Sequence, residues 1–311
     1  MAKRALGPAT LAVVQAVASL PEPAEGWLVA CSGGADSLAL AWAAHHVAGP
    51  RGTPVRALVV DHGLQRGSDA VAARVAQNLG SFGLAADVVR VEVVDDGAGP
   101  EASAREARYA VLTAAARPGD RVLLGHTLDD QAETVLLGLA RGSGVRSLAG
   151  MPASRGVFDR PLLGLRREAM VAACTELGLV PWVDPMNADH RYARVRVREA
   201  VLPVLERELG PGIREALART AGQAREAADL VDGLAGEVAD PTDCALLLGL
   251  APGLRRRVLV DWLTGAGASD VSANHVEAVE RLVTDWRGQK GVDVPGGRVV
   301  RRDGHLRLVA K

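Results

Sequence analysis

Short apolar runs alternate along the chain with longer segments in which apolar residues recur every three or four positions. Trp27 to Ala30, Val55 to Val60, Asp87 to Val94 and Arg121 to Leu124 predict strands. Leu38 to Val47, Ala70 to Leu79, Glu101 to Ala116 and Asp129 to Ala140 predict the helices between and after them. This order predicts an α/β fold of βαβ units around a parallel sheet, in which ligands collect at the carboxyl ends of strands. Those ends carry the polar residues: Ser32 to Ser37 after the first strand, Asp61-His62-Gly63 after the second and Gly125 to Asp130 after the fourth. One crevice would hold all of them. Past Pro181 helical patterns dominate, at Arg198 to Leu209, Ile213 to Leu234, Pro252 to Leu263 and Ser272 to Val283. Short strands then follow at Val292 to Val294, Val299-Val300 and Leu306 to Val309, so a mostly helical second region with a small C-terminal β-containing end is expected. Glu22 to Gly26 and Asp95 to Pro100 read as loops, and Gly142 to Gly150 as a mobile basic loop.

A length of 311 residues with 48% hydrophobic content is enough for a sizeable core and favours two domains. With no long uncharged apolar run and no signal-peptide pattern at Met1 to Pro8, the expected setting is the cytoplasm, without a membrane partner. Cys31, Cys174 and Cys244 are odd in number and far apart, which favours small buried hydrophobes over a disulfide framework or a thiolate metal site. The net charge of -1 argues against a generally basic nucleic-acid binder. Locally the picture changes. Arg191 to Arg198 holds four arginines and no acid, and Arg287 to Lys311 sets seven basic residues against Asp293 and Asp303, a local net of +5. Both patches are candidate RNA-facing surfaces, with solvated surface arginines as the alternative.

The junction Ser32-Gly33-Gly34-Ala35-Asp36-Ser37 joins a strand to a helix. Adjacent glycines let backbone N–H groups approach an anion, and the first helical turn adds unpaired donors and a positive dipole end. Asp36 beside a phosphate would be repulsive unless a divalent cation bridged them, so the loop implies a nucleotide with Mg2+. A Walker A lysine is missing, since Lys3, Lys290 and Lys311 are the only lysines and lie far off in sequence. Gly142-x-Gly144 lacks the third glycine of a dinucleotide fingerprint and follows a helical pattern. The junction resembles the PP-loop of the N-type ATP pyrophosphatases, which cleave ATP between the α- and β-phosphates and adenylate a carbonyl oxygen.

Gly125-His126-Thr127-Leu128-Asp129-Asp130-Gln131-Ala132-Glu133-Thr134, followed by Arg141-Gly142-Ser143-Gly144 and Gly150-Met151, narrows the likeness. Val60 to Leu64, Ala104 to Tyr109 with Leu112, Arg160 to Leu163, Asp184-Pro185-x-Asn187 and Arg194-x-Arg196-x-Arg198 with Leu202-Pro203 follow in order. Together, over roughly residues 27 to 205, they resemble the tRNA(Ile)-lysidine synthetase family. Thr127 stands where a second histidine is common in that family, Val195 where asparagine is usual and Glu199 where histidine is frequent.

The resemblance implies a PP-loop domain over 1–205 and a helical tRNA-binding region over 206–311. It implies ATP and Mg2+, an isoleucine tRNA with a CAU anticodon, and free L-lysine. The wobble cytidine would be activated at its C2 oxygen by AMP and then attacked by lysine, with pyrophosphate and AMP leaving. Ser32, Gly33, Gly34, Ala35, Asp36, Ser37, Asp61, Gly125 and His126 would bind nucleotide, Asp36 also anchoring the metal. Asp36, Asp130 and Arg105 are the candidate catalytic residues, Arg105 being preferred to Arg108, three positions on, as the guanidinium aimed at phosphate. For Arg108 a surface ion pair with Glu106 or Asp129 is the alternative.

Asp129, Asp130, Glu133, Arg108, Arg141, Arg146, Arg194, Arg196 and Arg198 are candidate contacts to lysine or tRNA. Asp129 also suits the cap of its helix. Deprotonating the lysine amine at pH 7 costs roughly 4.6 kcal/mol, so Asp130 either accepts the proton during attack or grips the ammonium. Residues 194–198 fit either an exposed basic strand or a helix end. The oligomeric state stays open, a homodimer included. Another PP-loop enzyme such as a tRNA thiolase and a catalytically silent RNA-binding module are the competing readings.

Overall fold

The computed structural model describes residues 5–63, 67–91, 100–142 and 144–310. The expectations at Lys3, Leu64, residues 92–99, Ser143 and Lys311 lie outside them. The elements run α1 (Pro8–Ala18), β1 (Trp27–Ala30), α2 (Ala35–Arg51), β2 (Val55–Asp61), α3 (Ser68–Ser81), β3 (Ala86–Arg90), α4 (Pro100–Ala115) and β4 (Arg121–Leu123). Then come α5 (Leu128–Ala140), α6 (Val145–Leu148), β5 (Ser154–Arg155), β6 (Phe158–Asp159), α7 (Arg167–Leu177), α8 (Ala193–Arg196), α9 (Leu202–Leu209) and α10 (Ile213–Gly236). The chain closes with α11 (Cys244–Gly249), α12 (Pro252–Gly265), α13 (Ala273–Thr284), β7 (Val292–Val294), β8 (Gly297–Arg302) and β9 (His305–Val309).

The larger sheet has the order β3-β2-β1-β4-β6-β5, parallel throughout except for the edge strand β5. Strand order reverses between β1 and β4, which opens a crevice at their carboxyl ends. Strand β1 shows why its apolar run is unbroken. Trp27, Val29 and Cys31 face one core with Val13, Val17, Leu38, Leu40 and Met170, while Leu28 faces the other with Leu58, Leu112 and Val122. A strand buried on both faces needs apolar residues at every position.

Some elements carried no clear pattern. The edge hairpin β5–β6 is only two residues per strand and depends on Arg121, which binds Asp159 at 2.6 Å and the Gly156 carbonyl at 2.6 Å. Helices α1 and α7 pack on α2 and on each other, joined by Glu176, which accepts from the Thr10 amide at 2.8 Å. Residues 194–198, open between strand and helix, lie in α8 and a π-helical turn, Val197–Val201. The segment expected to be a mobile loop contains α6, and its far end is pinned by Gln131, which bonds both the amide and the carbonyl of Met151 at 2.7 and 2.9 Å.

Two compact units divide between Gln223 and Ala224, within α10. The first extends past residue 205 because the start of α10 is tied to it: Arg214 meets Asp129 at 3.1 Å and Glu215 meets Arg166 at 2.7 Å. The second unit packs α11, α12, α13 and the antiparallel sheet β7-β8-β9 around Cys244, Leu247, Leu259, Leu263, Val279, Val299 and Leu306. Its buried Arg255 is paired with Glu280 at 2.9 Å. Of the C-terminal basic residues, Arg298 pairs with Asp293 at 2.9 Å, while Arg302 and Arg307 are exposed.

Glu206 caps α10 from outside, accepting from the Gly212 amide at 2.8 Å and from the Arg214 amide and guanidinium at 3.2 Å each. Burial works against its charge, but these N–H donors and Arg214 outweigh it and hold the carboxyl below its ordinary range. A lowered carboxylate stabilises the fold above its unfolded pKa, and the contribution is lost as pH falls. Glu206→Ala is therefore expected to cost about 1 kcal/mol at neutral pH, with the difference shrinking below about pH 4. Urea unfolding of both proteins across pH checks this.

Candidate active site

Gly33 sits at φ +85°, and a Cβ there would overlap the Val75 side chain, so the turn out of β1 admits only glycine. Ser37 folds the loop: its hydroxyl accepts from the Ser32 amide at 3.1 Å and donates to the Gly34 carbonyl at 3.1 Å. Strand β4 ends against this loop. A Cβ on Gly125 would stand 3.1 Å from the Asp36 carbonyl carbon and the Ser37 amide, so the glycine keeps the two sequence motifs in contact. The result is a helix N-terminus, that of α2, at the sheet's reversal point, with Asp36 in its first turn.

At the end of β2, Asp61 accepts from the Gly63 amide at 2.9 Å. Burial opposes its charge, but Gly63, Ser68 and Arg90 outweigh it and lower the carboxyl below its usual range. His126, after β4, is pushed down to about 3 by burial, with Arg108, Arg160 and Arg105 adding to the effect against Asp130. His62 is lowered by burial and then by Arg108. Both shifts favour the neutral imidazole, and the Nδ1 of each ring is buried without a hydrogen-bond partner. Half-buried Arg108 faces them with no hydrogen bond or ion pair among the described residues. This lobe suits an anion.

Beside it lies an acid–arginine cluster. Asp130 Oδ2 accepts from the Thr127 amide at 2.8 Å and the Thr127 hydroxyl at 2.9 Å, so the residue departing from the family pattern is the one that fixes Asp130. Asp130 Oδ1 accepts from Arg167 at 2.8 Å. Burial raises Asp130, but Arg167, the Thr127 amide and His126 outweigh it and leave the carboxyl below its ordinary range. Glu133, fully buried, is held by both arms of Arg198 at 2.7 and 3.1 Å. Asp129 does not cap α5; its Oδ2 accepts the Arg167 amide at 2.8 Å and so caps α7, while Arg214 approaches Oδ1 at 3.1 Å. Arg167 links the cluster to the PP-loop, lying 3.4 Å from both Asp36 Oδ2 and Glu133 Oε1.

Other expected contacts lie elsewhere. Arg105 is exposed and rests on the Tyr109 ring, 4.9 Å from its centroid, whereas Arg108 faces the histidines. Arg141 and Arg194 line a cleft of about 240 Å³ with Thr134, Leu137 and Ala193. Arg196 is exposed and bonds the carbonyls of His190 and Arg191 at 2.7 and 2.8 Å. Arg146 is exposed on α6. Arg167, Arg166 and Arg214 are absent from the sequence reading. One signal was available for the first two: Arg166-Arg167 opens a helix, where positive charge opposes the dipole and calls for a compensating acid.

Asp36 Oδ1 is buried with no hydrogen-bond partner. An unpaired buried carboxylate oxygen is costly, and a divalent cation would satisfy it. Mg2+ is an ion commonly held by one or two carboxylates plus substrate phosphates, and Asp36 Oδ1 offers one such ligand.

Comparison with known proteins gives a consistent result. The PP-loop domain description matches residues 10–205, and the TilS substrate binding domain matches residues 243–307. The tRNA(Ile)-lysidine synthase of Salinispora arenicola is 51% identical, over 96% of this chain and 94% of that protein. That of Nocardia farcinica is 53% identical, over 89% of this chain and 88% of its own length. Among solved structures, the U34-tRNA thiolase NcsA from Methanococcus maripaludis with its [4Fe-4S] cluster aligns with a TM-score of 0.56 at 20% identity. That alignment covers 70% of this chain and 78% of the thiolase, a likeness of fold.

Burial pushes the Asp36 carboxyl up to about 6, with Arg167 opposing and Asp130 adding to the rise. A carboxyl raised in this way contributes stability below its unfolded pKa near 3.8, and loses it as pH rises through about 6. In metal-free buffer Asp36→Asn is expected to exceed the native chain in stability by about 1–3 kcal/mol at neutral pH. The gain should fade below about pH 4. Urea unfolding with a chelator present measures it, and a variant less stable at neutral pH contradicts the assignment.

Proposed function

The chain belongs to the tRNA(Ile)-lysidine synthase family of PP-loop enzymes, and from that membership we propose how its residues divide the chemistry. It is a ligase that forms lysidine at the wobble position of tRNA and uses ATP. The finer reading is a sequence of two steps. The C2 oxygen of the wobble cytidine attacks the α-phosphorus of ATP and pyrophosphate leaves; the amine of free L-lysine then attacks C2 and AMP leaves. The observation that carries this reading is Asp36, with its unpartnered buried oxygen in the first turn of α2, joined through Arg167 to Asp130.

The turn from Ser32 to Ser37 and the first amides of α2 would hold the phosphates, with the two histidines and Arg108 lining the neighbouring lobe. Asp36 Oδ1 would hold Mg2+, whose chemistry is to screen the phosphate charge that builds as pyrophosphate departs. Asp130, kept ionised by Arg167 and Thr127, is a weak base at neutral pH. Its role in this reading is to anchor the lysine ammonium, one of the two roles that the residue pattern leaves open. Arg141 and Arg194, lining one cleft, would contact tRNA phosphate. ATP, lysine and tRNA meet in the cytoplasm, and that is where we place the reaction.

Transfer of radiolabelled lysine to an isoleucine tRNA transcript with a CAU anticodon, with the nucleotide products separated, tests the reading. Label in that tRNA but not in a methionine tRNA with the same anticodon, with release of AMP, is expected. ADP in place of AMP would contradict the first step. Asp130→Asn should lower kcat/KM for lysine by about 10- to 100-fold, the scale of losing a charged hydrogen bond, while tRNA-dependent pyrophosphate release continues. Full lysine transfer by that variant would remove Asp130 from the mechanism.

A further inference from the structure

The carboxylate oxygens of Asp130, and those of the neighbouring candidates Asp129 and Glu133, each have a partner within the protein. Asp130 Oδ2 is taken by Thr127 and Oδ1 by Arg167 at 2.8 Å. Glu133 Oε1 and Oε2 are taken by Arg198, and Asp129 by the Arg167 amide and Arg214. Asp130 Oδ1 keeps a second lone pair, but an ammonium brought onto it meets the Arg167 guanidinium at close range, so charge repulsion favours entry with a resident cation moved aside. The bidentate hold of Arg198 on Glu133 fixes that guanidinium, with contacts of 2.7 and 3.1 Å. Arg167 is spread over three acids, with one close contact to Asp130 and two of 3.4 Å to Asp36 and Glu133. It is also the arginine that touches both the carboxylate assigned to the metal and the one assigned to lysine.

We infer that the Arg167 guanidinium is an internal stand-in cation whose displacement couples the nucleotide half of the site to the lysine half. The inference rests on the assignment of Asp36 to the divalent ion and of Asp130 to lysine. A divalent charge on Asp36 Oδ1 repels a guanidinium 3.4 Å from the other oxygen of the same carboxylate. As Arg167 leaves Asp36 it loosens from Asp130, and the oxygen it held becomes available to an ammonium. The first ligand therefore bears the cost of moving Arg167 and the second does not, which is positive coupling between sites. The same coupling disfavours lysine binding before nucleotide. Arg167 compensates the charge of these buried carboxylates through its contacts to Asp36, Asp130 and Glu133.

Calorimetric titration of L-lysine into the full-length protein, alone and with Mg2+ and α,β-methylene-ATP, tests this without relying on turnover. Wild-type protein should bind lysine about tenfold more tightly with the metal and analogue than without, a coupling on the usual scale. Arg167→Met keeps the backbone amide that Asp129 needs and removes the stand-in. It should bind lysine more tightly than wild type in the absence of nucleotide, and the analogue should change its affinity less than twofold. Arg167→Lys, which retains one charge but reaches fewer acids, should show intermediate coupling and guards against loss of folding in the methionine variant. Wild-type lysine affinity indifferent to Mg2+ and analogue overturns the inference while leaving the lysine-ligase reading intact. So does an Arg167→Met protein that retains the full coupling. Failure of wild-type protein to bind lysine under any of these conditions overturns the reading itself, and the inference with it.

Discussion

The site depends on one electrostatic constraint: Asp36, Asp129, Asp130 and Glu133 converge at the carboxyl ends of parallel strands, where burial makes uncompensated charge expensive. Arginines from three separate stretches of chain answer them. Arg166 and Arg167 come with the start of α7, Arg194 and Arg198 with the turns around α8, and Arg214 with the first turn of α10. The balance is uneven. Asp130 stays ionised because Thr127 and Arg167 share it, whereas Asp36, with one oxygen unpartnered, is driven toward its neutral form. That imbalance gives two neighbouring carboxylates opposite tendencies, and the proposed division of roles between ammonium and Mg2+ rests on it.

Backbone geometry sets the cluster next to the phosphate loop. The reversal of strand order between β1 and β4 leaves the ends of both strands facing one crevice. Gly33 and Gly125 then allow the turn and the neighbouring strand end to approach more closely than any side chain would permit. The second unit has its own core and its own buried ion pair between Arg255 and Glu280.

The fold was legible where burial imposes a pattern. Strands β1, β2 and β4 read directly because they are apolar on both faces, and α13 because its apolar face is periodic. The β5–β6 hairpin was not, since two-residue strands held by Arg121 leave no periodicity to read. Within the site, Asp36, Asp130 and Glu133 stood out because acids cluster in two short motifs. The arginines that neutralise them are scattered from 166 to 214, and pairing across such separations is a property of the folded chain. Arg108 illustrates the same limit. Only the packing shows that it turns toward His62 and His126 while Arg105 lies over Tyr109. Thr127, a departure by family pattern, has a plain structural purpose in holding Asp130.

The most direct test of this account is anomalous diffraction from crystals grown with Mn2+ in place of Mg2+ and with α,β-methylene-ATP. The account predicts a single manganese peak about 2.1 Å from Asp36 Oδ1, with the guanidinium of Arg167 withdrawn from that carboxylate. A manganese ion bound away from Asp36, or Arg167 still bridging Asp36 and Asp130 beside it, would contradict the account.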